Sequence, residues 1–114
     1  MVPSTNYRRV TVYLGADDRW RRRALSSEIV RRARDAGLRG ASVVRGVEGF
    51  GKSRIVHTVR ILVLSDGLPV QVVIVDEADR IAAFLAAQTE LLHGVLVTID
   101  EVTVHRPAVV PQPR

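Results

Sequence analysis

Apolar and polar residues alternate from Arg9 to Gly15, the two-residue period of a half-buried strand that stops at glycine. Asp17 to Arg23 is polar and arginine-rich, suited to a loop that leads into a helix. From Leu25 the period lengthens. Leu25, Ile29, Val30, Ala33 and Ala36 recur at helical spacing, with Arg31, Arg32, Arg34 and Asp35 on the opposite face. Gly37 then suits the C-terminal cap. Ala41 to Val47, rich in β-branched residues, predicts a second strand. It runs into Gly46-Val47-Glu48-Gly49-Phe50-Gly51, a glycine-dense stretch that marks a bend, a bulge or a mobile connection. Ile55 to Leu64 reads as strand again, Ser65 to Pro69 as a turn, and Val70 to Val75 as a compact β run. Asp76 is the expected N-cap of a second helix, with Asp79 in its acidic first turn. That helix carries Ile81, Phe84, Leu85, Leu91 and Leu92 and closes at Gly94. Val95 to Ile99 and Val102 to Val104 supply the last strand or strand pair, with a bend expected at Asp100-Glu101.

Strand, helix, glycine and strand thus occur twice. The order predicts an α+β, ferredoxin-like β-α-β-β-α-β sandwich: a four-stranded antiparallel sheet with two helices on one face. The expected domain is 8–106, preceded by a flexible N-terminus (1–7) and followed by a proline-rich, disordered tail (107–114). The sheet's other face needs a cover. Tyr13, Val72 and Ile74 are expected to form an apolar patch there, and oligomerisation is the simplest way to hide it.

Composition narrows the chemistry. The 114 residues suffice for one domain. Cysteine is absent, which excludes disulfides, thiolate metal sites and thiol nucleophiles. No apolar run approaches a membrane span, and Met1 to Asn6 lacks a secretory core, so a cytoplasmic protein that is not membrane-embedded is expected. Residues 1–60 carry fourteen Arg/Lys against five acids, whereas 61–114 carry three against seven. Such polarity suits phosphate, nucleic acid or an acidic surface of a second copy of the chain. Sixteen of the seventeen basic residues are arginine, however, a skew that genome composition alone produces.

Four segments in order resemble the DUF190 branch of the PII-like signalling proteins, whose members are uncharacterised: Gly15 to Trp20, Gly46 to Gly51, His57-Thr58, and Leu68-Pro69 with Ile74-Val75-Asp76. Gly40-Ala41-Ser42-Val43, leading into Arg45 to Gly51, is similar to the strand-into-loop segment of the wider PII superfamily. The resemblance spans Val10 to Val104. It implies a homotrimer and a loop, starting near Gly49 and ending near Pro69, that contacts the regulated partner, a transporter or an enzyme. Glu48, Gly49, Phe50, Gly51, Lys52 and Arg54 are the residues of that loop expected to touch it.

PII proteins bind adenine nucleotides between subunits. The resemblance assigns that role here to Gly40, Ala41, Ser42, Val43, Gly94 and Arg106. The chain departs from the pattern in two places. The loop before the last strand has shrunk to His93-Gly94 without a lysine, and Val104 stands at the first of two arginine positions, leaving Arg106. Triphosphate charge is then poorly compensated, and a small effector with fewer phosphates, or none, fits better.

The remaining candidates are weighed against ordinary structural roles. Arg19-Trp20-Arg21-Arg22-Arg23 suits a phosphate with Trp20 stacked on a base, or equally a packed Trp20 with solvated arginines. His57, His93 and His105 are scattered, so no metal site within one chain and no cofactor are expected. Ser26, Ser42 and Ser65 lack a neighbouring base, so no catalytic residue is assigned. An acylphosphatase needs a placed Asn, and Asn6 is in the leader. An RNA-recognition domain shares the element order, but its second motif sits mid-strand with several exposed aromatics, whereas Gly49-Phe50-Gly51 ends a strand. Nucleic acid is not expected as a partner. The reading is a non-catalytic sensory or regulatory protein; its alternative is a trimeric adaptor that docks without any effector.

Overall fold

The computed structural model describes residues 4–52, 54–58 and 67–105. Arg106, the tail 107–114, residues 1–3 of the leader and the 59–66 part of the expected third strand and turn lie outside them. Strand β1 (Ser4–Gly15) pairs along nearly its whole length with β7 (Pro69–Glu77), from Tyr7–Glu77 to Gly15–Pro69, and on its other side with β8 (Leu96–Val104). The short β4 (Ser42–Arg45) completes an antiparallel sheet of order β4-β7-β1-β8.

Period two sends Val10, Val12 and Leu14 of β1 and Val70, Val72 and Ile74 of β7 to one face, where all are buried. Helix α1 (Leu25–Asp35) lays Leu25, Ile29 and Ala33 onto that face, and α2 (Ala78–Ala87) lays down Ile81 and Phe84. Leu91, from the turns that follow α2, closes the same core. The two-layer α+β fold is the one the periodicities predict.

Several boundaries differ for physical reasons. The expected leader contributes Ser4 to Tyr7 to β1; Tyr7 is buried, with the Arg39 guanidinium 5.4 Å from its ring centre. Asp17 to Arg23 is more ordered than a loop. β2 (Arg19–Trp20) and β3 (Arg23–Ala24) form a small hairpin, tied to the helix start by the Leu25 N–H donating to the Asp18 carbonyl at 2.8 Å. The last strand is continuous through Asp100-Glu101, because both pair in register with Arg9 and Arg8. Val72 and Ile74 face the helices, not the bare side, since they alternate in step with Val70. The open face instead presents Tyr13, Val44 and Leu96, all exposed.

Asp76 is no helix cap. It is the last inward residue of β7, and Glu77 occupies the cap position without a side-chain hydrogen bond.

On α1, Glu28 is buried although it faces an arginine-rich surface. Arg31 and Arg32 both donate to it at 2.8 Å, and Arg32 continues to the Gln88 side-chain oxygen, linking α1 to the end of α2. The Arg32 hydrogen bond holds the Glu28 carboxyl below the ordinary glutamate range; burial opposes it and Arg31 adds to it. The depressed folded value means that the unfolded chain binds the proton more readily. The stabilisation is therefore complete above the unfolded glutamate range and fades as pH falls through the folded value. Glu28→Gln is expected to lower Tm at pH 7. Thermal melts from pH 7 to pH 3 should show the gap to wild type shrinking in acid; a constant gap would refute the linkage.

Candidate functional site

The connection after β4 is held down in three places. Its own strands, β5 (Glu48–Gly49) and β6 (His57–Thr58), pair as Glu48–Thr58 and Gly49–His57. The Pro69 ring fits against Gly46 and Gly49: Cβ atoms added there would stand 2.6 and 2.8 Å from Pro69 Cγ. The Gly46 N–H donates to the Pro69 carbonyl at 2.8 Å. Finally, the His57 ring lies on Gly67, whose φ of 78° and missing Cβ leave room for it.

So clamped, the connection closes over a cavity of about 590 Å³, a size ordinary for small-molecule sites. Phe50, Gly51, Lys52 and His57 form one wall and the Gly15–Asp18 turn another. Pro69 to Gln71 form the floor, and Gly94 to Leu96 with Tyr13 close the far side. The Gly15–Asp18 turn is built by its own hydrogen bonds, with the Gly15 N–H donating to Asp18 Oδ2 at 2.9 Å. The Ala16 N–H donates to the Leu68 carbonyl at 2.8 Å, fixing the turn beside the floor. The segments singled out separately in the sequence thus meet around one space. Their spacing along the chain gave no hint of that, because the contacts cross from 10 residues (His57 to Gly67) to 83 (Tyr13 to Leu96).

The expected site residues divide. Of the proposed partner loop, Phe50, Gly51 and Lys52 line the cavity, while Glu48 and Gly49 belong to its supporting hairpin. Arg54, with φ 62°, places its guanidinium 5.4 Å from the Phe50 ring centre. Lys52 stands over Gly94, its Nζ 3.6 Å from the missing Cβ. A lysine from another segment thus stands beside the shortened His93-Gly94 loop. Gly40 to Val43 are elsewhere. β4 and β8 are opposite edges of the sheet, so one chain does not bring Gly40, Ala41, Ser42 and Val43 to Gly94. Sequence reasoning missed Asp17, Asp18, Tyr13 and Leu96 as cavity residues.

Trp20 packs against the core with the guanidiniums of Arg21 and Arg32 at 5.4 and 5.5 Å from its ring centre, which is the structural role rather than a free stacking platform. His57 is in the cavity wall, and His93 and His105 are exposed outside it. No helix among the described residues is long and apolar enough to cross a membrane.

The family model DUF190, described as Uncharacterized ACR, matches residues 7–104. A UPF0166 protein of Aquifex aeolicus (strain VF5) is 30% identical over 93 residues, covering 82% of this chain and 88% of the relative. CPII of Thiomonas intermedia K12, a nitrogen regulatory PII-like protein bound to ADP, AMP and bicarbonate, has a TM-score of 0.60 at 14% identity, covering 89% of this chain and 90% of CPII. CutA of Synechococcus elongatus PCC7942, complexed with Bis-Tris, has a TM-score of 0.58 at 9% identity, covering 90% and 84%. At these identities the structural likeness establishes the fold and leaves the bound chemistry open.

Proposed function

The chain belongs to the DUF190 family, and from that membership we propose that it is a non-catalytic, PII-like regulatory protein, cytoplasmic and homotrimeric. It couples a small effector to a protein partner, a transporter or an enzyme, through the loop after Gly49. The observation that carries this reading is the closure of Phe50 to Lys52 over a cavity walled by Gly94. A ligand placed there touches the loop directly, so its binding biases which surface the loop presents. The loop surface suits docking: Val47, Phe50 and Val56 are more than half exposed.

The assembly supplies what one chain lacks. β4 exposes Val43 and Val44, and β8 exposes Leu96 and Ile99, on opposite edges of the sheet. Asp100 and Glu101 of β8 already pair with Arg9 and Arg8 of β1, so the apolar side chains carry the contact. Two apolar edges on opposite sides of one sheet suit head-to-tail contact that closes a ring. In it, Gly40 to Val43 of one copy approach Gly94 of the next, and Arg106 is the proposed further contact. That cleft is the proposed site for an adenine nucleotide, by analogy with CPII, with AMP or ADP favoured over ATP.

Light scattering is expected to give three times the 12.6 kDa chain mass. Calorimetry should give heat with AMP or ADP that Arg106→Ala diminishes. A monomer without nucleotide heat would remove the cleft. A trimer without it would favour the ligand-independent adaptor, for which the already exposed loop residues speak.

A further inference from the structure

The turn of the small β2–β3 hairpin is made of arginine. Trp20 is the register partner of Arg23, so Arg21 and Arg22 are the two turn residues, and Arg19 precedes them. Arg21 has a φ of 57°, in the left-handed region where a two-residue hairpin normally places glycine. All four arginines are exposed, and among the described residues only Arg23 has a carboxylate near it, Glu28 at 3.9 Å. Genome composition explains arginine in place of lysine. It does not explain four like charges within five successive residues, or an arginine held where glycine is easier. Backbone strain kept at the expense of stability points to a use outside the fold. The sheet gives these charges a direction. Gly15 pairs with Pro69, Arg45 with Val70 and Tyr13 with Leu96, so the hairpin and the loop after Gly46 leave the same end of the sheet. Segments 15–24 and 45–56 together carry seven basic residues against three acids. Further along the sheet the charges pair off: Arg8 with Glu101, Arg9 with Asp100, Arg39 and Arg80 with Asp76. One end of the molecule is cationic and the rest is largely self-compensated.

Apolar side chains stand at the cationic end as well. Val47, Phe50 and Val56 are each more than half exposed. Phe50 borders the same space as Asp17 and Asp18, the residues that lead into the hairpin, so the loop and the root of the hairpin are neighbours. We propose that this end of the molecule docks on the surface of an anionic lipid bilayer. The hairpin arginines meet headgroup phosphates, and Val47 and Val56 enter the apolar side of the interface. Charge by itself fits any polyanion; the exposed apolar side chains beside it select the bilayer. A nucleic-acid backbone gives Val47 and Val56 nothing to bury against, and Trp20 is packed on the core, so no base stacks there. The docking is peripheral and needs neither the effector nor the ring of the proposed function. It goes beyond that reading by stating where in a cell the protein gathers.

The test is sedimentation of the full chain with vesicles of phosphatidylcholine alone and of phosphatidylcholine mixed equally with phosphatidylglycerol. Binding is expected to the mixed vesicles only, and raising the salt should release much of it. Arg19→Gln/Arg22→Gln should weaken binding roughly 25-fold, about fivefold for each arginine near an anionic surface. Val47→Ser/Val56→Ser should weaken it at low and high salt alike, because apolar contact is not screened. Arg21→Gly separates binding from folding. It relieves the left-handed arginine, so its Tm should equal or exceed that of wild type while vesicle binding falls about fivefold. Equal binding to both vesicles, binding to neither, or an Arg19/Arg22 variant that binds like wild type would overturn the proposal. Capture by polyglutamate or RNA without either vesicle assigns the surface to another polyanion and overturns it too. Light scattering and nucleotide calorimetry on the same preparation keep the two readings apart: a monomer without nucleotide heat that still binds anionic vesicles removes the cleft and leaves this surface standing.

Discussion

Asp76→Ala is expected to lower the free energy of unfolding by about 2–4 kcal/mol, the scale for taking one shared acceptor away from two N–H donors. Asp76 has no exposed surface. Its Oδ2 accepts the Arg39 N–H at 2.9 Å and its Oδ1 the Glu77 N–H at 2.7 Å. The Arg39 and Arg80 side chains approach at 3.8 and 3.9 Å, and Arg80 also donates to the Gly37 carbonyl. One carboxyl group thereby fixes the end of β7, the start of α2 and the connection after α1. Alanine takes the acceptor from the part-buried Arg39 and Glu77 N–H groups, each loss costing up to about 1–3 kcal/mol, whereas the half-exposed guanidiniums turn to water. Against a domain stability of about 5–15 kcal/mol, that is a large fraction. Asp76→Asn keeps one acceptor oxygen and should lose about half as much. Urea unfolding at fixed protein concentration measures both; the midpoint should fall while the slope is unchanged. An alanine variant within about 1 kcal/mol of wild type would mean that water replaces the carboxyl group.

Asp76 also shows where sequence reading reached its limit. An acidic residue before an amphipathic run is the usual N-cap pattern, and the helix does begin two residues later, at Ala78. The pattern located the helix and misassigned the residue, because the period-two alternation of Val70, Val72 and Ile74 continues one step further into Asp76. Alternation outweighed capping, and the polar group was buried with partners from 37 residues away. Val72 and Ile74 were assigned to the bare face for a related reason. A strand covered on one side shows which residues share a face, but not which face the helices take. The core of α1 and α2 needed no such choice. Leu25, Ile29, Ala33, Ile81 and Phe84 are buried where helical spacing put them.

The cavity was legible only as parts. Gly46 to Gly51, His57 and Leu68-Pro69 stood out as motifs, but nothing in their order says that they touch. Asp17 stood out only as part of the Gly15 to Trp20 segment and Tyr13 only as an apolar residue of the bare face, and neither reading pointed to a cavity. The glycines near position 50 read as a bend or a mobile connection. Their structural role is close approach to Pro69, a partner 20 residues away that no local pattern could name.

That close approach supplies the second large effect. Gly46→Ala is expected to destabilise the protein by about 1–3 kcal/mol, the usual cost of overpacking a tight contact. The new Cβ meets Pro69 Cγ at 2.6 Å and the Pro69 carbonyl oxygen at 3.4 Å. A long side chain could rotate away, but the proline ring is bonded to the backbone of β7, which is paired on both sides. The loop base must therefore move, straining the Gly46 to Pro69 hydrogen bond and lifting Phe50 and Lys52 from the cavity. Gly49→Ala, at 2.8 Å from the same atom, should act in the same direction. Pro69→Ala removes Cγ and relieves the clash without touching either glycine. The double variant Gly46→Ala/Pro69→Ala should recover most of the loss, with a coupling of about 1 kcal/mol or more. Limited proteolysis should report the same order at the loop: wild type cut slowly, Gly46→Ala quickly, the double variant between them. If the two substitutions simply add, the glycines and Pro69 are not acting as one clamp, and the loop is held closed by its hairpin and His57 instead.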